Sequence, residues 1–440
     1  MSKHVVILGG GPGGLSASLT ARQQGLSVTL LDPEPPGGNA LNHSLVPSKF
    51  LLNAVATLEH GRRLGSRWHR EEWDQVMTDQ HRAMEEMQQM TRQWLDRQGV
   101  GYIPESGRLV VGEARPVAVE TPSGERLEAD VVIIATGSKQ RLVPGAKPDG
   151  QRVMIPRVFH MLKAVPEEIA IIGAGATGLE AASLFIRLGT RVTVYHAGTR
   201  PLADFSPGLS RTLADRLTAE GVQFVWGARI TGLEARPETV VLHWTENGVA
   251  HEAATPHVLL ASGRIPVFTA DELRPLGFEL DPKGFFAVDP LTSQTSVAGV
   301  YAVGDAAGGS ALLANRAVMQ GKQAILHAVG QSLVPTPVVE AIYTIPEIAR
   351  VGSTQGTRRY RAELPNGLIL KPYLEQMPET AVEVVTDADG IVLGGEALGP
   401  HAADLMNVVA LAVAAQVSID HLQRVSYASP TIGEILAQLA

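Results

Sequence analysis

Short, unbroken apolar runs that end in glycine set the pattern of this chain. His4-Val5-Val6-Ile7-Leu8 runs into Gly9-Gly10-Gly11-Pro12-Gly13-Gly14, and Ile169-Ala170-Ile171-Ile172 runs into Gly173-Ala174-Gly175-Ala176-Thr177-Gly178. Runs of this kind predict strands covered on both faces, as in parallel sheets. The glycines predict a tight turn into a helix whose first N–H groups point outward. Similar runs lie at 26–31, closed by Asp32, and at 131–134, closed by Ala135-Thr136-Gly137. Two more lie at 191–195, closed by His196, and at 299–303, closed by Gly304-Asp305. Between 71 and 98 the period becomes helical. A long helix from Glu71 to Gln98 is expected, with Trp73, Met77, Met84, Met87, Trp94 and Leu95 as its apolar stripe. That stripe reads as core or dimer packing, or as a methionine-rich partner face. Strand-like stretches at 338–343 and 391–398 and a helix at 402–416 close the chain.

A single G-x-G-x-x-G is weak evidence of a nucleotide site, since glycines also simply make turns. Two such motifs, about 160 residues apart and each set between strand and helix, indicate two dinucleotides held at once. That is the layout of an enzyme passing a hydride between them. Asp32, at the end of the second strand, is placed to grip an adenosine ribose; its plainer reading is a turn or helix cap.

Composition narrows the partners. The chain has 440 residues, 45% of them hydrophobic, with 45 glycines and 19% charge, which fits a loop-rich α/β protein of several domains. A net charge of −8 argues against a nucleic-acid partner. The absence of cysteine excludes disulfides, iron–sulfur clusters and thiol catalysis, and no metal site is expected. The apolar stretch at 408–415 is too short to span a bilayer, and Met1-Ser2-Lys3 leaves no room for a signal peptide. A cytoplasmic location is expected.

Taken in order, these motifs resemble the flavoprotein reductases with two dinucleotide folds: dihydrolipoamide dehydrogenase, glutathione reductase and mercuric reductase. The likeness spans the chain and includes Gly37-Gly38, Pro47-Ser48-Lys49, Glu180, the stretch Thr344 to Gly352 and the tail Pro430-Thr431-Ile432-Gly433-Glu434. It implies an α/β protein of two Rossmann-like folds plus a C-terminal α+β dimerisation domain. The implied boundaries are 1–147 for FAD, 148–264 for NAD(P), 265–335 completing the FAD domain and 336–440 for the interface of a homodimer. FAD would lie on Gly9, Gly11, Gly14, Asp32, Gly38, Thr136, Gly137, Gly304 and Asp305, with Asp305 on the ribityl chain. NADPH or NADH would lie on Gly173, Gly175, Gly178, His196, Arg200 and Gly263. Lys49 would sit near the flavin N5 and pair with Glu180; read alone, periodicity leans toward a lysine snorkelling from an apolar helix. The helix after Ala311 would turn its positive end toward the flavin. His196 stands where an NAD site would want an acid, and Arg200 follows, so a 2′-phosphate is expected to meet positive charge rather than repulsion.

Two departures redirect the function. Where the family carries its redox-active cysteine pair, this chain has Ala40 and Leu45; where it carries a histidine before proline, this chain has Ser429, although Glu434 remains. Neither disulfide chemistry nor its acid–base partner survives. The chain looks like the cysteine-deficient branch, whose flavin passes electrons straight to quinones; Val46-Pro47-Ser48-Lys49 and Pro148-Asp149-Gly150-Gln151-Arg152 share its wording. His43 reads as a solvated loop histidine or as a proton donor to the acceptor. Tyr427 and Ser429 read as filler or as lining of the emptied acceptor pocket. An FAD-dependent NAD(P)H:quinone oxidoreductase is expected, with a soluble transhydrogenase and a silent redox partner as alternatives.

Overall fold

Glycine-closed strands gather into two parallel sheets, one in each of two units. The structure, a computed structural model of the chain, describes residues 3–63, 65, 72–113, 115–309, 312–364, 369–377 and 379–440. Glu71, named above as a helix start, and Ala311, named as the residue before one, lie outside the described residues. By contacts, Met1–Ser48, Met77–Arg141 and Arg264–Pro335 form one unit, and Lys49–Val76, Leu142–Gly263 and Thr336–Ala440 the other.

In the first unit the sheet order is Val300–Ala302, Val131–Ile134, His4–Leu8, Ser27–Leu31, Gly101–Ile103, all parallel. Residues 5–8, Val131–Ile134 and Val300–Ala302 are apolar and buried throughout because both faces are covered, whereas Ser27 and Thr29 are only half-buried. Val5 and Ile7 face a core that includes Ala17 and Ala21 of helix Pro12–Gln23 and Ala324 and Ile325 of helix Ala314–Ala328. Val6 and Leu8 face Leu109, Val117 and Val119 of a small antiparallel sheet, together with Phe278 and Phe286. The two helices pack backbone to backbone: a Cβ on Gly321 would lie 2.2 Å from the Gly13 carbonyl oxygen. The long helix is Trp73–Gln98. Trp73, Met77, Met84 and Leu95 are buried, but Met87 is 43% exposed. It lies about 80° round the helix from Met77, at the edge of the stripe.

In the second unit the parallel sheet runs Gln223–Trp226, Arg191–His196, Glu168–Ile172, Val258–Leu260, Val153–Met154. A three-stranded antiparallel sheet joins it, formed by Arg229–Ala235, Val240–Glu246 and Val249–Thr255. The C-terminal segment is a five-stranded antiparallel sheet ordered Glu340–Ile342, Glu347–Gly352, Val392–Gly399, Ala381–Thr386, Arg358–Glu363. Helix Ala402–Ala414 buries Leu405, Met406 and Val409 against one face of that sheet. Among the described residues no helix is long and apolar enough to cross a membrane.

Candidate active site

The two glycine turns are built alike. In each, the first glycine N–H reaches the strand beside it, Gly9 to the Leu31 carbonyl at 2.7 Å and Gly173 to the Tyr195 carbonyl at 2.8 Å. Both glycines have positive φ, +101° and +112°, and a Cβ would strike the carbonyl oxygen of Ala135 or Ala261. The third glycines allow the closest packing: a Cβ on Gly14 would lie 2.0 Å from Gly9 O, and one on Gly178 1.9 Å from Gly173 O. The second glycines face room: a Cβ on Gly175 would meet no described atom within 4 Å, and one on Gly11 only Gly38 Cα, at 3.9 Å. A pyrophosphate needs that room at a helix N-terminus.

The two turns differ at the residue that ends the second strand. Asp32 is buried; its Oδ2 accepts Gly10 N–H at 2.6 Å and its Oδ1 accepts Glu34 N–H at 2.9 Å. Burial pushes its pKa up, against the pull of those two N–H groups. At the equivalent place His196 accepts Ala174 N–H through Nδ1 at 3.2 Å. A backbone N–H only donates, so Nδ1 carries no proton and the ring is the neutral Nε2–H tautomer. Burial also holds the His196 pKa below its ordinary value.

Further groups in the first unit suit FAD. Gly38, at φ +56°, presses against Gly11, and Gly137 has positive φ and open space beside it. Thr136 Oγ1 is buried with no hydrogen-bond partner among the described residues, as a group awaiting a ligand would be. Asp305 Oδ2 accepts the Ser138 hydroxyl at 2.5 Å and lies 3.2 Å from Arg264 Nε. Gly304 N–H donates to Gln320 Oε1 at 2.8 Å. Gly263, a candidate for the second nucleotide, belongs to the other unit and has φ +96°, with room for a Cβ beside it. Ser138 and Arg264 were missed from sequence, although each directly follows a residue that was named, Gly137 and Gly263.

Lys49 and Glu180 meet in the second unit. Lys49 Nζ is 2.6 Å from Glu180 Oε2, and the pair is largely sheltered, with side chains 27% and 12% exposed. Glu180 Oε1 accepts Tyr343 N–H at 2.9 Å, and the ammonium lies 5.0 Å from the centroid of the Tyr343 ring. Glu180 belongs to helix Ala176–Arg187, whose Ser183 Oγ accepts Ile345 N–H and whose Arg187 donates to Ile345 O. Positions 180, 183 and 187 share one helix face, so that face clamps the backbone of 343–345. Tyr343 was not singled out from sequence; helical spacing around Glu180 could not point to a partner so distant in the chain.

The remaining candidates lie elsewhere or do other work. His43 is not a solvated loop residue: its side chain is 16% exposed and its Nε2 lies 2.7 Å from Glu34 Oε2. Arg200 does not project for a phosphate. Its guanidinium donates to Leu202 O, Ala203 O, Phe205 O and Ser210 Oγ, which argues against it as a 2′-phosphate ligand. Leu45 is 38% exposed and Ala40 partly buried. Tyr427 Oη donates to Leu422 O at 2.8 Å, and its ring packs on the C-terminal core. Glu434 Oε2 accepts Thr431 N–H at 3.1 Å, capping the short 3₁₀ helix Ile432–Gln438; Ser429 is exposed.

The chain matches the family described as pyridine nucleotide-disulphide oxidoreductase over residues 3–321, and that family's dimerisation domain over 336–440. It is 29% identical to a dihydrolipoyl dehydrogenase of Bacillus subtilis, over 98% of this chain and 96% of the relative. It is 28% identical to an NAD(P)H dehydrogenase (quinone) of Mycobacterium tuberculosis, over 100% of this chain and 94% of the relative. The crystal structure of LpdA from Mycobacterium tuberculosis is similar, with a TM-score of 0.88, 27% identity and 99% of each chain covered. The HOCl-induced flavoprotein disulfide reductase RclA from Escherichia coli shares the fold at a TM-score of 0.83 and 20% identity, over 100% of this chain and 98% of that one.

Proposed function

Since the chain belongs to the pyridine nucleotide-disulphide oxidoreductase family, we propose that it is an FAD-dependent NAD(P)H:acceptor oxidoreductase whose acceptor is a small quinone. The observation that carries this reading is a split. Both dinucleotide cradles and the Lys49–Glu180 pair are built, yet there is no cysteine to form the disulfide that gives the family its name. The similarity to an NAD(P)H dehydrogenase (quinone) supports the same acceptor class.

FAD, held on the first fold, would supply the redox chemistry, hydride acceptance from a reduced nicotinamide and two-electron transfer to the acceptor. The chain's own residues bind and orient. The second glycines admit the pyrophosphates, Asp32 accepts ribose hydroxyls, and Asp305, steadied by Ser138 and Arg264, offers its other oxygen to the ribityl chain. Lys49 and Glu180 set a fixed pair of charges for the hydride step. His196 puts a neutral donor where a carboxylate would repel a 2′-phosphate, so NADPH serves at least as well as NADH. The chain works as a homodimer: it carries the dimerisation domain, and helix Ala402–Ala414 leaves Leu411 69% and Val408 38% exposed.

His196 also favours a second reading, a soluble transhydrogenase, because a neutral residue there admits both nucleotides. A steady-state screen decides. NADH and NADPH are offered against quinones, dyes, oxygen, lipoamide, glutathione disulfide and the opposite oxidised nucleotide. Turnover with quinones is expected. Turnover with the second nicotinamide alone selects the transhydrogenase, and turnover with no acceptor selects a silent redox partner.

A further inference from the structure

Five ionisable side chains form one row across the C-terminal sheet, one from each strand. Glu340 pairs in register with Arg350, Arg350 with Glu396, Glu396 with Glu383, and Glu383 with Arg361. Direct cross-strand partners share a face, so the row lies opposite the apolar face that carries Ala349, Val351, Val382, Val384 and Ala397. Arg350 Nε is 2.6 Å from Glu340 Oε2, Arg361 Nη1 is 3.2 Å from Glu383 Oε1, and Arg359 meets the other oxygen of Glu383, Oε2. Glu396, in the middle, is 2% exposed, and its Oε1 has no hydrogen-bond partner among the described residues. Placing a buried carboxylate beside a second one costs stability, so sheet packing alone does not account for it.

The row's other contacts supply the reason. Arg350 Nη1 donates to Asp204 O, and its guanidinium lies 4.9 Å from the Phe205 ring centroid. Glu396 Oε2 accepts Ser206 N–H at 2.9 Å. Residues 204–206 end the loop that begins at His196, and Ser206 caps helix Pro207–Ala219. Arg200 ties the same loop from within through the carbonyls of 202, 203 and 205. The segment is therefore held on one side by its own arginine and on the other by the C-terminal sheet.

We propose that Glu396 and Arg350 are positioning residues for the nicotinamide nucleotide: they hold the loop from His196 to Ser206 in the shape that receives the adenosine-ribose end. This rests on the reading that the second glycine fold binds NAD(P)H. The residues act through the loop and touch no part of the dinucleotide themselves, so their effect falls on affinity and KM rather than on the hydride step. It also makes the interface segment part of the nucleotide site.

The test uses FAD-loaded, full-length protein, titrated calorimetrically with 5′-ADP and 2′,5′-ADP, alongside KM and kcat for NADH and NADPH. Glu396→Leu, which removes the acceptor for Ser206 N–H, is expected to lose about tenfold in ADP affinity and to raise KM similarly, with kcat within about twofold. Glu396→Gln keeps an acceptor oxygen and should stay within about threefold of the parent. If Glu396→Leu does not fold, Arg350→Met decides by the same readouts. A folded, FAD-replete Glu396→Leu (or, in its stead, Arg350→Met) with unchanged ADP affinity overturns the proposal. So does a loss confined to kcat, or a Glu396→Gln as damaged as Glu396→Leu. If the parent protein binds neither ADP, the reading of the second fold itself fails and takes this proposal with it.

Discussion

The two dinucleotide folds share a backbone and differ in one side chain's chemistry. Each begins with a glycine of positive φ, seats its third glycine where a Cβ would lie about 2 Å from a carbonyl oxygen, and leaves its second glycine facing space. At the end of the neighbouring strand, the first fold accepts a turn N–H on the buried carboxylate of Asp32, and the second accepts it on the uncharged ring of His196. The turn geometry therefore needs only an acceptor at this place. Which acceptor it is sets the charge that meets the adenosine ribose. On the proposed reading, Asp32 would give the first fold a grip suited to free hydroxyls, whereas His196 would leave the second without the charge that tells the two nicotinamide nucleotides apart.

The equivalence of the turns is broken most severely through the third glycines. Gly14→Ala and Gly178→Ala each drive a methyl into a backbone carbonyl, costing about 3 kcal/mol or more, at the upper end of overpacking. Gly14→Ala should leave little flavin absorbance per protein. Gly178→Ala should keep its FAD and lose most of its calorimetric affinity for 5′-ADP. Normal binding of both by either variant would contradict the duplicated geometry.

Substituting the acceptors sharpens the contrast and should have a smaller effect. Asp32→Ala orphans two N–H groups, those of Gly10 and Glu34, at about 1–3 kcal/mol each, so the dissociation constant for FAD should rise at least tenfold. His196→Ala removes one longer bond, worth about 1 kcal/mol, and should raise the 5′-ADP dissociation constant by about fivefold at most. His196→Glu should turn selectivity toward NADH. Equal effects of Asp32→Ala and His196→Ala, or a His196→Glu enzyme that still uses NADPH as readily, would erase the distinction drawn between the two folds.

The smallest effect is on pH dependence. Burial lowers the His196 pKa, so the folded protein takes up that proton less readily than the unfolded chain. Its contribution is neutral above the ordinary value of about 6.5 and turns destabilising as pH falls below it. Melting temperatures of the parent should therefore drop more steeply than those of His196→Gln between about pH 6.5 and 5.5. Superimposed curves would remove His196 from the account.

Much of this was legible before any coordinates, for local reasons. A strand, a glycine turn and a terminal acid or histidine follow one another in the chain, so Gly9, Gly14, Asp32, Gly173 and His196 could be placed by spacing alone. Arg200 could not, because its acceptors are carbonyls of its own loop, and nothing in Thr199-Arg200-Pro201 says which way the guanidinium folds. His43 looked solvated because Glu34, its partner, is brought in by the turn after Asp32. The row from Glu340 to Arg361 was invisible for a stronger reason: it exists only once five strands settle into register, and each residue read singly is an ordinary surface charge.

The central claim is that electrons leave the reduced flavin directly, with no sulfur relay, and one experiment meets it head-on. The FAD-loaded enzyme is reduced anaerobically with one equivalent of NADH or NADPH. It is then mixed in a stopped-flow instrument with p-benzoquinone or with lipoamide, and the flavin band is followed. The account predicts rapid, complete reoxidation by the quinone and none by lipoamide on the same timescale. Reoxidation by lipoamide at a comparable rate, or a reduced flavin indifferent to the quinone, would contradict it.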